Sequence, residues 1–148
     1  MKIREQAHRE AVRLSTDAIA AKLEHALGQQ LTAYAVGIRD PRAIGKYARG
    51  QRPRRETEAR LRDLYVVIQI LLTRETAETV RAWMMGAHPL LEDQAPVQLL
   101  HVESTEESQT GWSYGPGTRS RYQAVLDAAT AFVGASAEAD TPLASTGR

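Results

Sequence analysis

The chain has 148 residues, 43% of them apolar and 25% charged, which is enough for one domain or two small ones with a real core. It has no cysteine, which excludes disulfides and thiolate metal sites, and no apolar run long enough to span a membrane or serve as a signal core. The net charge of +1 conceals an asymmetry: residues 1–62 carry 14 Lys/Arg against 7 Asp/Glu, and residues 63–148 carry 5 against 11. A basic half and an acidic half imply two different partners, and a cytoplasmic location is expected.

In chain order, Ile3, Ala7, Ala11 and Leu14 fall at helical spacing within a polar stretch. Ile19, Leu23 and Leu27 recur every four residues after Ser15-Thr16-Asp17, which can cap a second helix or lie within a continuous one. Gly28 suits the C-terminal cap.

The stretch Leu31–Arg55, LTAYAVGIRDPRAIGKYARGQRPRR, is the most informative. A short helix to Val36 precedes Gly37, which can take the positive φ of a tight turn. Ala33, four residues earlier, is small enough for a close helix crossing, and Ile38 is placed to enter the core. Asp40-Pro41 starts a second helix: Asp caps free amides, and Pro at the first helical position loses no hydrogen bond. That helix runs to Ala48 with Ile44 and Ala48 inward, and Gly50 ends it. Arg39, Arg42, Lys46, Arg49, Arg52, Arg54 and Arg55 set seven positive charges against Asp40 alone. A helix, a turn, a second helix and a basic exit strand have the composition of a phosphate-facing helix-turn-helix. Arg42 and Lys46, at i and i+4, are the candidates for base edges. Arg39, Arg49, Arg52, Arg54 and Arg55 are candidates for the DNA backbone, and Tyr47 can face either way.

Glu56–Leu72 is the strongest helical pattern, with Leu61, Leu64, Tyr65, Ile68, Leu71 and Leu72 on one face. Val67 and Ile70 widen that face, so the second half is expected to be buried on more than one side, between subdomains or in a dimer. Glu75–Met85 reads as another helix, with Ala77, Val80, Trp83 and Met84 inward. His88-Pro89-Leu90-Leu91 reads as a turn with apolar anchors, and Pro96 starts a short helix to Leu100. Residues 103–118 read as an exposed polar loop in which Trp112 and Tyr114 either plug the core or meet a partner. Arg119–Val133 is helical, and residues 134–148 form a small-residue, polar tail expected to be disordered.

These elements predict an all-α chain. Residues 1–55 form an N-terminal helix-turn-helix unit, 56–75 a connecting helix, 76–133 a small helical domain with the 103–118 insertion, and 134–148 a flexible tail. His8, His25, His88 and His101 lie on separate elements without metal-ligand spacing. No nucleophile, acid pair or phosphate-binding loop is in context, so no catalytic residue, metal or cofactor is expected.

Two stretches resemble a known family, the Xre/MbcA/ParS-type antitoxins of bacterial type II toxin–antitoxin modules. Leu31–Gly50 is similar to that family's Xre-like helix-turn-helix. Trp83, His88-Pro89-Leu90-Leu91 and Ala95-Pro96-Val97-Gln98-Leu99-Leu100 are similar to its toxin-binding domain, with Tyr122–Val133 as the closing helix. The chain departs from the pattern at His88, where Asn is usual, and at Glu92-Asp93, where the family has glycine. The resemblance implies an antitoxin that neutralises a protein toxin, often of the NAD-consuming RES type, and represses its own operon as a homodimer on operator DNA. It assigns the toxin contacts to Trp83, His88, Pro89, Leu90 and Leu91, with Trp112 and Tyr114 as added contacts. The alternative is a stand-alone helix-turn-helix regulator whose C-terminal helices serve dimerisation or ligand binding.

Overall fold

A computed structural model describes residues 2–110 and 120–140 of the chain. Among them are eight α-helices, one 3₁₀ turn and no strand, so the fold is all-α. The helices are α1 (Lys2–Arg13), α2 (Thr16–Leu27), α3 (Gln29–Val36), α4 (Arg42–Ala48), α5 (Arg55–Leu72), α6 (Ala77–Met85), α7 (Pro96–Thr110) and α8 (Arg121–Asp140). The 3₁₀ turn, Pro89–Leu91, lies between α6 and α7. None of the described helices is long and apolar enough to cross a membrane.

α5 is the axis. Leu61, Leu64, Tyr65, Val66, Val67, Ile68, Ile70 and Leu71 are all buried, because helices of the same chain surround it: α1, α2, α3, α6 and α8 each pack against it. The wide apolar face is therefore covered from within. Leu72, expected inside, is partly exposed at the helix end. One hydrophobic cluster runs from Ala7 and Ala11 of α1 through α5 to Val125, Ala129 and Val133 of α8. α3 packs directly on α7, so N-terminal and C-terminal elements share that core.

Local chemistry sets the helix ends. Ser15 caps α2, its hydroxyl accepting from the Ala18 amide, so α1 and α2 are separate helices. α1 ends against α5: the Arg62 guanidinium donates to the Ala11 and Leu14 carbonyls, which the ending helix leaves without amide partners. The same guanidinium reaches Thr16 and Glu58, and the Thr16 hydroxyl donates to Glu58 at 2.7 Å. The Tyr65 hydroxyl, buried in the α1–α5 seam, donates to Glu10.

Three elements differ from the sequence expectation. α6 begins at Ala77 because Thr76 caps it, accepting from the Thr79 amide at 3.2 Å. α7 does not stop at Leu100; residues 103–110 are helical. There the Ser104 and Thr105 hydroxyls donate back to the His101 carbonyl, and Ser104 is buried. Glu103, expected on a loop, accepts from the Tyr122 amide at 2.7 Å and so closes the start of α8. α8 in turn continues past Val133 to Asp140, held by the Ser136 hydroxyl donating to Glu75, so residues 134–140 are not a loose tail.

A basic helix-end surface and the Pro-Leu turn

α3 ends as the sequence suggests. Gly37 takes φ 79°, the Ile38 amide donates to the Ala33 carbonyl at 2.9 Å, and the Gly37 amide donates to Tyr34. This pairing of the last carbonyls is the Schellman arrangement. Ile38, half-buried, packs on the core behind it. α4 closes the same way: Gly50 has φ 110°, and the Gln51 amide donates to Lys46 at 3.0 Å. Pro41 already has helical dihedrals, which makes Asp40 the N-terminal cap, its carboxylate accepting from the Arg42 amide at 3.0 Å.

Ile44 and Gly45 seat α4 on the protein. A Cβ on Gly45 would lie 2.7 Å from Gln29 Nε2, and Gln29 donates to Glu24 at 2.6 Å. A side chain at 45 would displace the Gln29 amide from Glu24, a packing detail that the sequence reading passed over. Ala48 and Tyr47 are half-buried, and Tyr47 packs on the core, which settles its two-way assignment largely inward.

The cations stay outside. Arg39, Arg42, Lys46, Arg49, Arg52, Arg54 and Arg55 are all exposed, along α4 and the segment leading into α5. Arg42 is paired: Nε lies 3.1 Å from Asp40 Oδ1 and Nη2 lies 3.2 Å from Oδ2. The Arg42 hydrogen bond holds the Asp40 carboxyl below its usual range, and Asp40 raises Arg42 in turn. A surface this rich in exposed guanidinium suits a polyanion.

The second candidate surface is divided. Trp83 is 5% exposed and Leu91 4%; both belong to the core, which corrects their assignment as partner contacts. Trp83 lies against Phe132, with ring centroids 5.9 Å apart, and against His88 at 4.8 Å. His88 is half-buried, and its Nε2 lies 2.8 Å from the Trp83 carbonyl, so it fastens the turn to α6. Pro89 and Leu90 face outward, Leu90 with 67% of its surface exposed. Glu92 and Asp93, also exposed, follow with φ 55° and 62°. This left-handed region favours glycine, so both residues occupy strained backbone. Beside Leu90 is a cleft of about 430 Å³ lined by Leu91, Leu99, Val102, Arg121 and Ala124. Trp112 and Tyr114 lie outside the described residues.

His101, set aside in the sequence as an isolated histidine, joins the two regions. It stacks on Tyr34 with ring centroids 3.9 Å apart, and its Nδ1 lies 2.8 Å from the Tyr34 carbonyl. Nothing at the level of spacing announces a contact between positions so distant in sequence. Among the described residues no three His, Asp or Glu side chains gather as metal ligands would. No family model matches this chain, and no curated protein or solved structure is recognisably similar to it.

Proposed function

We propose that this chain binds duplex DNA through α3, the turn and α4, used as a helix-turn-helix, and acts as an antitoxin that represses its own operon. The observation that carries the DNA half is the row of seven exposed cations from Arg39 to Arg55, broken by a single acid. α4 sits at the edge of the body with its apolar residues inward, which leaves the charged positions free for a groove and its phosphates. A dimer on two half-sites would double a contact area that is small for one module.

The toxin half rests on the resemblance and on Leu90. An exposed leucine on a turn, followed by two exposed acids, suits a partner with an apolar pocket and a basic rim. The toxin would meet Pro89, Leu90 and the outer edge of His88. The alternative, a stand-alone regulator, is favoured by the burial of Trp83 and Leu91, which removes two of the contacts that the resemblance assigns.

Lys46→Ala with Arg49→Ala tests the DNA half. The pair should weaken binding to any duplex about tenfold or more at low salt, and leave the helical circular dichroism unchanged, because both side chains are exposed. Unaltered binding would remove α4 from the interface. Co-purification with the product of the adjacent gene separates antitoxin from regulator. A stable complex that Leu90→Asp dissolves supports the antitoxin, and no complex favours the regulator.

A further inference from the structure

Asp40 is the only acid between Leu31 and Arg55, and on a phosphate-facing surface it is a liability. Its geometry suggests why it is there. Oδ1 accepts from both the Arg42 amide, at 3.0 Å, and Arg42 Nε, at 3.1 Å, while Oδ2 accepts from Nη2 at 3.2 Å. The carboxylate therefore grips the side edge of the guanidinium and leaves the end edge untouched. Three of its five N–H donors remain, and two of them, one on Nη1 and one on Nη2, point forward as a parallel fork. Arg42 is 82% exposed, so the fork opens to solvent at the start of α4.

We propose that Asp40 is a positioning residue that aims the end edge of Arg42 at the O6 and N7 acceptors of a guanine in the major groove. This rests on the DNA-binding reading above. A guanine presents two acceptors side by side on its major-groove edge, and the arginine fork matches them. A phosphate is a poorer target, because it would approach the Asp40 carboxylate as well as the guanidinium. An uncharged base edge carries no such penalty. Holding a long side chain in one geometry before binding also lowers the entropy lost when it docks. The seven cations thus divide by role: Arg42 reads a base, and Arg39, Lys46, Arg49, Arg52, Arg54 and Arg55 hold the backbone.

The test is selection by the full chain from a randomised duplex library, followed by binding to the selected site with its guanine replaced in turn by each other base. Three chains are compared: wild type, Arg42→Ala and Asp40→Asn. Asn keeps a cap oxygen for the Arg42 amide but gives up the charge and one acceptor. The wild type should prefer guanine at one position of each half-site by roughly five- to a hundred-fold. Arg42→Ala should lose that preference and keep those at other positions. Asp40→Asn should lower the same preference severalfold while binding random duplex as well as wild type or better, since a negative charge has gone. Uniform weakening by Arg42→Ala, with every base preference kept, would make Arg42 a phosphate contact and overturn the proposal while the DNA-binding reading stands. An undiminished preference in Asp40→Asn would reduce Asp40 to a helix cap and overturn its positioning role. Absence of salt-dependent duplex binding by the wild type would overturn the underlying reading as well.

Discussion

Arg62 belongs to the basic half by sequence, yet its work is internal. It fills the carbonyls of Ala11 and Leu14 and pairs with Glu58 at 3.1 Å. Arg62→Ala would leave those carbonyls without protein donors and leave the Glu58 carboxylate with the Thr16 hydroxyl but without the paired guanidinium. We expect a loss of about 2 kcal/mol in urea unfolding, with an unchanged denaturant slope. Arg62→Lys should recover only part, because an ammonium cannot span both carbonyls and the carboxylate. Glu58 links this clasp to pH. The Thr16 hydroxyl first, and Arg62 second, hold its carboxyl below the usual value of 4.5. A group whose folded pKa is depressed contributes stability above its unfolded pKa and loses it as pH falls through the folded value. The stability gap between wild type and Glu58→Gln should therefore be full at pH 7 and shrink steadily below pH 4.5. A gap that stays constant down to pH 3 would show that the carboxylate charge has no part in the clasp.

Among the elements, α7 packs closely against the α3–α4 turn. A Cβ at Gly37 would lie 2.5 Å from Ser104 Oγ, at a backbone φ of 79°. Gly37→Ala should cost about 2 kcal/mol or more, from the left-handed backbone and from the overlap together. Adding Ser104→Ala removes the closest overlap, that with Oγ, and not the backbone term, so the double variant should be more stable than the sum of the single changes by about 0.5 kcal/mol or more. Strict additivity would mean that α7 and the turn are not in contact. The same contact explains what the sequence could and could not tell. α5 was legible because its apolar residues repeat at helical spacing, and the ends of α3 and α4 because Gly37, Gly50 and Asp40-Pro41 are strong local signals. The second half of α7 was not, because a serine, not an apolar stripe, packs it against Gly37. Periodicity has nothing to report there, and the polar run leads into Gly111, Gly115, Pro116 and Gly117, so that residues 103–118 together look like a loop.

At the scale of the molecule, the long helix expected to connect two units lies in the middle of the chain's packing. α1, α2, α3, α6 and α8 all pack against it, which is why Val66, Val67 and Ile70 are buried without a second chain. Composition could distribute charge between two halves, but it could not say that the halves share a core. Nor could it separate Leu90 from Leu91, neighbours of which one points out and the other in. For the candidate site, sequence located the cations and the caps; the Asp40–Arg42 grip and the seat at Gly45 required coordinates. The seven cations nonetheless all face outward, and their proposed role is to meet phosphate. The most direct measurement is the affinity of the full chain for a duplex as a function of salt concentration. If about six of the exposed cations neutralise phosphates, log K should fall linearly with log salt at a slope of about −5 per bound chain. A slope near zero would contradict the account, because a surface of guanidinium and ammonium groups cannot hold DNA without releasing its counterions.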